Sequence, residues 1–241
     1  MSSSDLFSAI PEQIKKVRNQ VNEAARRAGR PAGSVDILPV SKTFPTEAIR
    51  QAIAAGMLRF GENKAQEIRD KSELLADVEI QWVMIGHLQT NKARDIARHA
   101  HEIQSLDRPE LADALEKRLQ REGRKIRALI QVKTSPEPSK FGLEPIELED
   151  FLRYVAVEAP SLEVQGLMTM AVNDPDPAAV RACFRRLREL RDQMQQKSIP
   201  GVTLNRLSMG MSGDYELAIA EGSTEVRIGS AIFGDRSYTN R

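Results

Sequence analysis

The sequence is short of the features that mark secreted, membrane-spanning and nucleic-acid-binding proteins. It has a single cysteine, Cys183, so no internal disulfide can form, which is typical of a reducing compartment. No run approaches the ~20 apolar residues of a membrane span, and residues 1–5 lack the basic start and apolar stretch of a signal peptide. The 35 basic and 34 acidic side chains nearly cancel, which argues against a basic face for nucleic acid. We therefore expect a cytoplasmic protein that contacts neither membrane nor nucleic acid.

Motifs of several well-known enzyme classes are also missing. There is no nucleophile elbow, no P-loop and no dinucleotide-binding fingerprint. The three histidines, His87, His99 and His101, do not combine with nearby carboxylates or cysteine into a convincing metal set. The sequence therefore predicts no metal site.

Short apolar runs alternate with longer amphipathic segments along the whole chain. The run 35–42 predicts a first strand, and the stripe of Ile49, Ala52, Ile53 and Met57 that follows has the spacing of one buried helix face. The cycle repeats without a low-complexity linker. The eight predicted strands cover residues 35–42, 59–63, 81–86, 102–106, 128–133, 164–170, 204–209 and 226–233.

Eight strand–helix cycles in 241 residues indicate the α/β class and favour one (β/α)8 barrel, also called a TIM barrel. A doubly wound open sheet is the alternative that this pattern leaves open. We expect one domain over residues 1–241, in which residues 1–30 form a leading helix packed on the barrel. Nothing after residue 234 is expected to form a second domain.

One glycine- and serine-rich segment lies at the end of the predicted seventh strand, and a second lies within the predicted eighth strand. Main-chain N–H groups at the start of a helix bind anions, and barrels often place a phosphate site in the loops after these strands. Ser208 and Ser212 precede a helix beginning near Asp214, while Gly229 and Ser230 approach from strand eight. Their convergence favours a phosphate site, although either loop alone is equally well explained as a turn.

Two charged residues stand out because they occupy apolar strands. Lys42 ends the first strand, where partial burial can make an amine nucleophilic toward aldehydes. When Lys42 is considered alone, the better explanation is that its side chain reaches solvent from the end of the strand. Arg227 lies between apolar residues of the last strand, and a buried guanidinium needs a partner. That partner is either a carboxylate, such as Glu62 or Glu225, or a ring nitrogen of a ligand.

Several short segments of the chain are each weak evidence of a family, but together and in this order they are highly specific. They are residues 38–43 (LPVSKT), 60–63 (FGEN), 85–92 (IGHLQTNK), 140–142 (KFG), 166–168 (GLM), 207–212 (LSMGMS) and 222–234 (GSTEVRIGSAIFG). Over nearly its whole length the chain thereby resembles the pyridoxal phosphate homeostasis proteins of the YggS/PROSC type. One departure from their pattern is Lys64, an unexpected lysine near the predicted mouth of the barrel.

The resemblance implies a barrel like that of alanine racemase, a fold type III enzyme, with pyridoxal 5'-phosphate (PLP) held as a Schiff base on Lys42. It implies that Arg227 faces the pyridine nitrogen and that the second motif contributes Asn63. The phosphate cup that it implies consists of Ser208, Ser212, Gly229 and Ser230.

The function implied by the resemblance is intracellular PLP homeostasis and delivery. Such a protein binds the cofactor, limits the free aldehyde and passes it on, as a monomer with transient contacts to PLP-dependent apoenzymes and no robust catalytic activity. Racemases of this fold carry a second domain that supplies an opposing acid/base group, and none is expected here. Two alternatives stay open: a PLP-dependent amino-acid racemase or related enzyme, and a barrel enzyme for a different phosphorylated ligand.

Overall fold

Short strands and helices alternate regularly along the chain. The computed structural model describes residues 7–137 and 141–234. Within them the strands are β1 (Asp36–Pro39), β2 (Arg59–Glu62), β3 (Gln81–Met84), β4 (Glu102–Leu106), β5 (Ile126–Gln131), β6 (Leu162–Met168), β7 (Arg206–Ser208) and β8 (Glu225–Ile228). The α-helices there are α1 (Ile10–Arg27), α2 (Thr46–Ala54), α3 (Ala65–Leu74), α4 (Ala93–His99), α5 (Pro109–Glu122), α6 (Leu148–Glu158), α7 (Pro177–Gln196), α8 (Tyr215–Ala220) and α9 (Ser230–Phe233).

All eight strands are parallel, and each pairs with its neighbour in sequence from β2 round to β8, which pairs with β1. The remaining seam, between β1 and β2, is closed by a parallel bridge between Val40 and Gly61. There the N–H of Ser41 donates to the Gly61 carbonyl oxygen over 3.1 Å. The sheet is therefore a (β/α)8 barrel, as predicted, and not a doubly wound open sheet. Because the strands are parallel, all their carboxyl ends lie on one rim.

Amphipathic helices cover the outside of the barrel, and α1 illustrates why they form. Its apolar residues recur at three- and four-residue spacing, and Ile10, Ile14, Val17 and Val21 are each at most 3% exposed. This helix packs against α2, α8 and α9. Burial of each such side chain stabilises the fold by roughly 1.5–3 kcal/mol.

The amino-terminal end of the barrel interior is filled by charged side chains. Arg59 and Arg206 each bridge the carboxylates of Glu102 and Glu225, with N–O distances of 2.8 to 3.0 Å. The side-chain amide of Gln104 donates to both carboxylates, over 2.7 Å and 2.5 Å. Burial acts to raise the pKa of Glu225, but the two guanidinium groups outweigh it and the pKa is lowered. Glu225 therefore remains ionised, and each of the two buried carboxylates accepts from several donors.

The clearest departure from the predicted elements lies at the last strand. The sequence predicts one strand over residues 226–233, but β8 ends at Ile228 and α9 follows it. In α9 the buried ring of Phe233 stacks on Phe44, with the ring centroids 5.2 Å apart. A short apolar run fits either a strand or a buried helical turn, so periodicity alone does not separate the two.

Three smaller features complete the fold. In the part of the chain that the structure describes, no helix is long and apolar enough to cross a membrane. Over the same residues, histidine, cysteine and carboxylate side chains form no group of three that could hold a metal ion. Cys183 lies on α7 and is 4% exposed, so it packs among the apolar side chains of the core.

Candidate functional site

A cavity of about 730 Å³ opens at the carboxyl-terminal rim of the barrel. Barrels of this kind place their ligands at this rim, and the volume is within the usual range for a small-molecule site. The loops after β1, β2, β3, β7 and β8 contribute to its wall. The structure brings six of the seven predicted site residues together there: Lys42, Asn63, Ser212, Arg227, Gly229 and Ser230.

Lys42 lies in the loop that follows β1. The strand ends at Pro39, so the lysine is not part of it, and its half-buried side chain lines the cavity. A lysine amine at a partly apolar cavity wall is well placed to react with an aldehyde. Lys64, the lysine that departs from the family pattern, is exposed instead.

Arg227 comes from β8 and is 4% exposed at the cavity wall. Its Nη1 donates to the carbonyl oxygen and the Oγ of Ser208, over 2.7 and 2.9 Å, and its Nη2 donates to the Thr169 carbonyl oxygen over 2.8 Å. The carboxylates considered from the sequence, Glu62 and Glu225, pair with other cations. Burial lowers the pKa of Arg227 to about 10, so at neutral pH it stays protonated and can only donate.

Ser208 is fully buried behind Arg227, and its hydrogen bonds have a fixed direction. The side-chain amide nitrogen of Gln104 donates to two carboxylates, so its Oε1 is the atom left to accept. The hydroxyl of Ser208 donates to this oxygen over 2.7 Å, and the Oγ accepts from Arg227. The structure thus separates Ser208 from the other predicted phosphate contacts, because its hydroxyl orients Arg227 instead of facing the cavity.

Two glycine- and serine-rich loops form the cavity wall where β7 and β8 end. In the first, Gly210 has a φ of +97°, and a Cβ atom there would lie 2.6 Å from that of Ala218, so only glycine fits. This turn leads to Ser212, which lines the cavity shortly before α8. In the second loop, Gly229 precedes α9, whose first residue is Ser230. First-turn N–H groups have no acceptor within their helix, so both loops offer donors to an anion.

An aromatic and apolar part of the wall was not predicted from the sequence. The ring of His87, after β3, stacks on Phe141 with centroids 4.1 Å apart and planes 19° apart. Met170 and Met211 add apolar surface. His87 and Phe141 belong to two of the matched motifs, but nothing in their spacing indicates that they meet. Lys140, which precedes Phe141, lies outside the described residues.

The residues of the cavity fit a small, flat, phosphorylated aldehyde. The two loops suit a phosphate, the amine of Lys42 suits an aldehyde, and the guanidinium of Arg227 suits a hydrogen-bond acceptor on the ligand. Because Arg227 is buried and its position is held by two carbonyl oxygens and a hydroxyl, its direction is set before any ligand binds.

Comparison with known proteins identifies the family. Residues 13–237 match the family model for the N-terminal domain of alanine racemase. The pyridoxal phosphate homeostasis protein of Aquifex aeolicus is 42% identical over 227 residues, which cover 94% of this chain and 98% of that protein. The chain belongs to the pyridoxal phosphate homeostasis protein family. The Escherichia coli member of this family is 38% identical over 235 residues, 96% of this chain and 99% of its own length.

Solved structures agree with membership of the pyridoxal phosphate homeostasis protein family. PipY of Synechococcus elongatus, solved with PLP bound, is 36% identical, with a TM-score of 0.82 over 93% of this chain and 100% of PipY. Alanine racemase of Corynebacterium glutamicum is 17% identical, with a TM-score of 0.66 over 96% of this chain and 62% of the racemase chain. The second likeness concerns the fold alone, and it confirms the predicted alanine racemase-like barrel.

Proposed function

We propose that this protein binds PLP in the cavity through Lys42 and serves PLP homeostasis and delivery in the cytoplasm. The observation that carries the proposal is the convergence of Lys42, Arg227 and two anion-binding loops on one cavity. PLP combines an aldehyde, a pyridine nitrogen and a phosphate, and each of these groups has a suitable partner there. The curated relatives are named for PLP homeostasis, and PipY has been solved with PLP.

Six residues of the cavity wall have a proposed role in holding the ligand. Lys42 condenses with the aldehyde as a Schiff base, Arg227 donates to the ring nitrogen, and Asn63 contacts the ligand from the end of β2. The main chain and side chains of Ser212, Gly229 and Ser230 bind the phosphate. Ser208, also assigned to the phosphate by the resemblance, instead holds Arg227 in place.

A nitrogen that faces Arg227 must accept a hydrogen bond, because arginine has no acceptor to offer. The ring nitrogen then stays unprotonated, which makes the ring a weaker electron sink than a protonated one. Racemisation also needs a proton-transferring group on each face of the substrate carbon, and Lys42 can serve only one. Both arguments favour a carrier without robust catalytic activity.

A PLP-dependent racemase is the second candidate, and one observation favours it. His87 lines the same cavity as Lys42 and carries an imidazole that could transfer a proton. Its ring stacks on Phe141, and its Nδ1 lies 3.7 Å from Asp107 Oδ2.

Product analysis in deuterated buffer separates the two candidates. PLP-loaded protein should show negligible racemisation of alanine and other common amino acids, with no difference between wild type and His87→Asn. Turnover on the order of 1 s⁻¹ or above that disappears in Lys42→Ala would promote the enzyme. A second experiment tests PLP delivery. The PLP-loaded protein, which we expect to be a monomer, should restore the activity of a PLP-dependent apoenzyme faster than the spontaneous release of its PLP allows.

A further inference from the structure

A buried ion-pair cluster lies behind the loop that carries Lys42. The carboxylate of Glu62, at the end of β2, is 0% exposed, and its Oε1 accepts from Lys71 Nζ and Ser41 Oγ, both over 2.7 Å. Lys71, on α3, is 8% exposed and also donates to Glu67 Oε2, one turn earlier, over 3.1 Å. We name Glu62, Glu67 and Lys71 the Lys71 cluster.

The Lys71 cluster holds the main chain on both sides of Lys42. Before the lysine, the Ser41 carbonyl oxygen accepts from Lys71 Nζ over 2.9 Å. After it, the N–H of Thr43 donates to Glu67 Oε2 over 2.8 Å. Thr43 has a φ of 68°, a left-handed conformation that β-branched residues rarely adopt. One set of charges therefore fixes the direction in which the lysine side chain leaves the loop.

The arrangement is not the one that stability alone would favour. The second carboxylate oxygen of Glu62, Oε2, is buried and has no hydrogen-bond partner among the described residues. Burial raises the pKa of Glu62 to about 7, and the nearby ammonium of Lys71 offsets this effect only in part. A strained threonine next to this lysine, tied to a buried ion pair, points to a functional constraint.

We propose that Glu62, Lys71 and Glu67 are positioning residues that direct the amine of Lys42 into the cavity for reaction with an aldehyde. The inference rests on the proposed function, since it concerns the same lysine. In the reaction the neutral amine forms a carbon–nitrogen double bond, and the carbonyl oxygen leaves as water with both amine protons. The Lys71 cluster holds the backbone and takes no part in these bond changes.

Two ligands that differ only at the reacting carbon provide the test. PLP carries an aldehyde there, whereas pyridoxine 5'-phosphate carries an alcohol and binds through its ring and phosphate alone. Glu67→Ala should weaken PLP binding roughly tenfold and leave pyridoxine 5'-phosphate binding within about twofold of wild type. Glu67→Gln should restore most of the PLP affinity, because its amide oxygen can still accept from Thr43. Lys71→Met should show the same selectivity for PLP.

Glu116→Ala is the matched control. Glu116 is a buried carboxylate on α5 that accepts from the N–H and the hydroxyl of Ser161, over 2.8 and 2.9 Å. Its loss should lower thermal stability but leave the ratio of the two ligand affinities unchanged. Equal losses for both ligands in Glu67→Ala, or no loss for either, would overturn the positioning role.

Borohydride reduction of wild-type protein with PLP keeps the two proposals distinct. If the wild type fixes no PLP on Lys42, the proposed function fails. If it does so and Glu67→Ala keeps the wild-type affinity ratio, the positioning role alone fails.

Discussion

Glu62 gives the folded protein a pH dependence of definite sign. Burial raises the pKa of Glu62 to about 7 from a usual value of 4.5. A folded state that binds a proton more tightly than the unfolded chain is most stable below the unfolded pKa, and this stability is lost as pH rises through the folded pKa. Between about pH 5 and pH 8 this one group should lower the free energy of unfolding by on the order of 1–3 kcal/mol.

Denaturant unfolding of wild type and Glu62→Gln over a pH series isolates that contribution. Because glutamine stays neutral, the unfolding free energy of the wild type should fall relative to that of Glu62→Gln as pH rises. Asp77→Asn is the control, since Arg50 lowers the pKa of this exposed carboxyl and keeps it ionised over the range. A difference in unfolding free energy that does not change with pH, or a wild type that becomes relatively more stable as pH rises, contradicts the raised pKa.

Single residues could be predicted from the sequence where their type conflicts with their surroundings. Lys42 and Arg227 stand out because a charged side chain in an apolar run requires an explanation, but only the family resemblance assigns Lys42 to a ligand. Ser208 and Ser212 could not be told apart in this way, since both are serines of one motif. The face on which a strand residue lies depends on register, and the acceptor for Ser208 is the side chain of Gln104, three strands earlier in the barrel.

The two glycine- and serine-rich loops are predicted to recognise phosphate as a pair. Replacing Ser212 and Ser230 together with alanine should weaken PLP and pyridoxine 5'-phosphate by a similar factor, at least about tenfold, because hydrogen bonds to a charged group are lost. Binding of unphosphorylated pyridoxal should change little. Titration of the three ligands into the wild-type and double-variant proteins measures this.

Ser208→Ala is the matched serine control for the loops. It should leave the preference for phosphorylated ligands intact, because Ser208 bonds to Gln104 and Arg227. Equal losses of PLP and pyridoxal in the double variant would mean that the loops bind something else. A loss of phosphate preference in Ser208→Ala would return Ser208 to the phosphate cup.

At the scale of elements, the order of strands and helices could be predicted but some of their ends could not. Alternating apolar runs predict each strand, yet the run over residues 226–233 continues from β8 into α9. In this helix Phe233 stacks on Phe44, which is far away in the sequence. Tertiary contacts of this kind decide where a short apolar run stops being a strand.

For the whole molecule, the barrel follows from the count of strand–helix cycles, but the charged filling of its interior does not. Arg59, Glu102, Arg206 and Glu225 come from four different strands and meet only when the barrel closes. No spacing in the sequence relates them. Through Gln104 and Ser208 this interior cluster reaches Arg227, so it supports the cavity at the opposite rim.

The central claim is that Lys42 binds the aldehyde of PLP, and one measurement tests it most directly. Purified protein is incubated with PLP, its absorbance is recorded before and after borohydride reduction, and the digested peptides are mapped by mass. We expect one PLP-derived mass on the peptide that contains Lys42, and its loss in Lys42→Ala. A stable adduct found only on another lysine, such as Lys64 or Lys140, or no adduct at all, would contradict the claim.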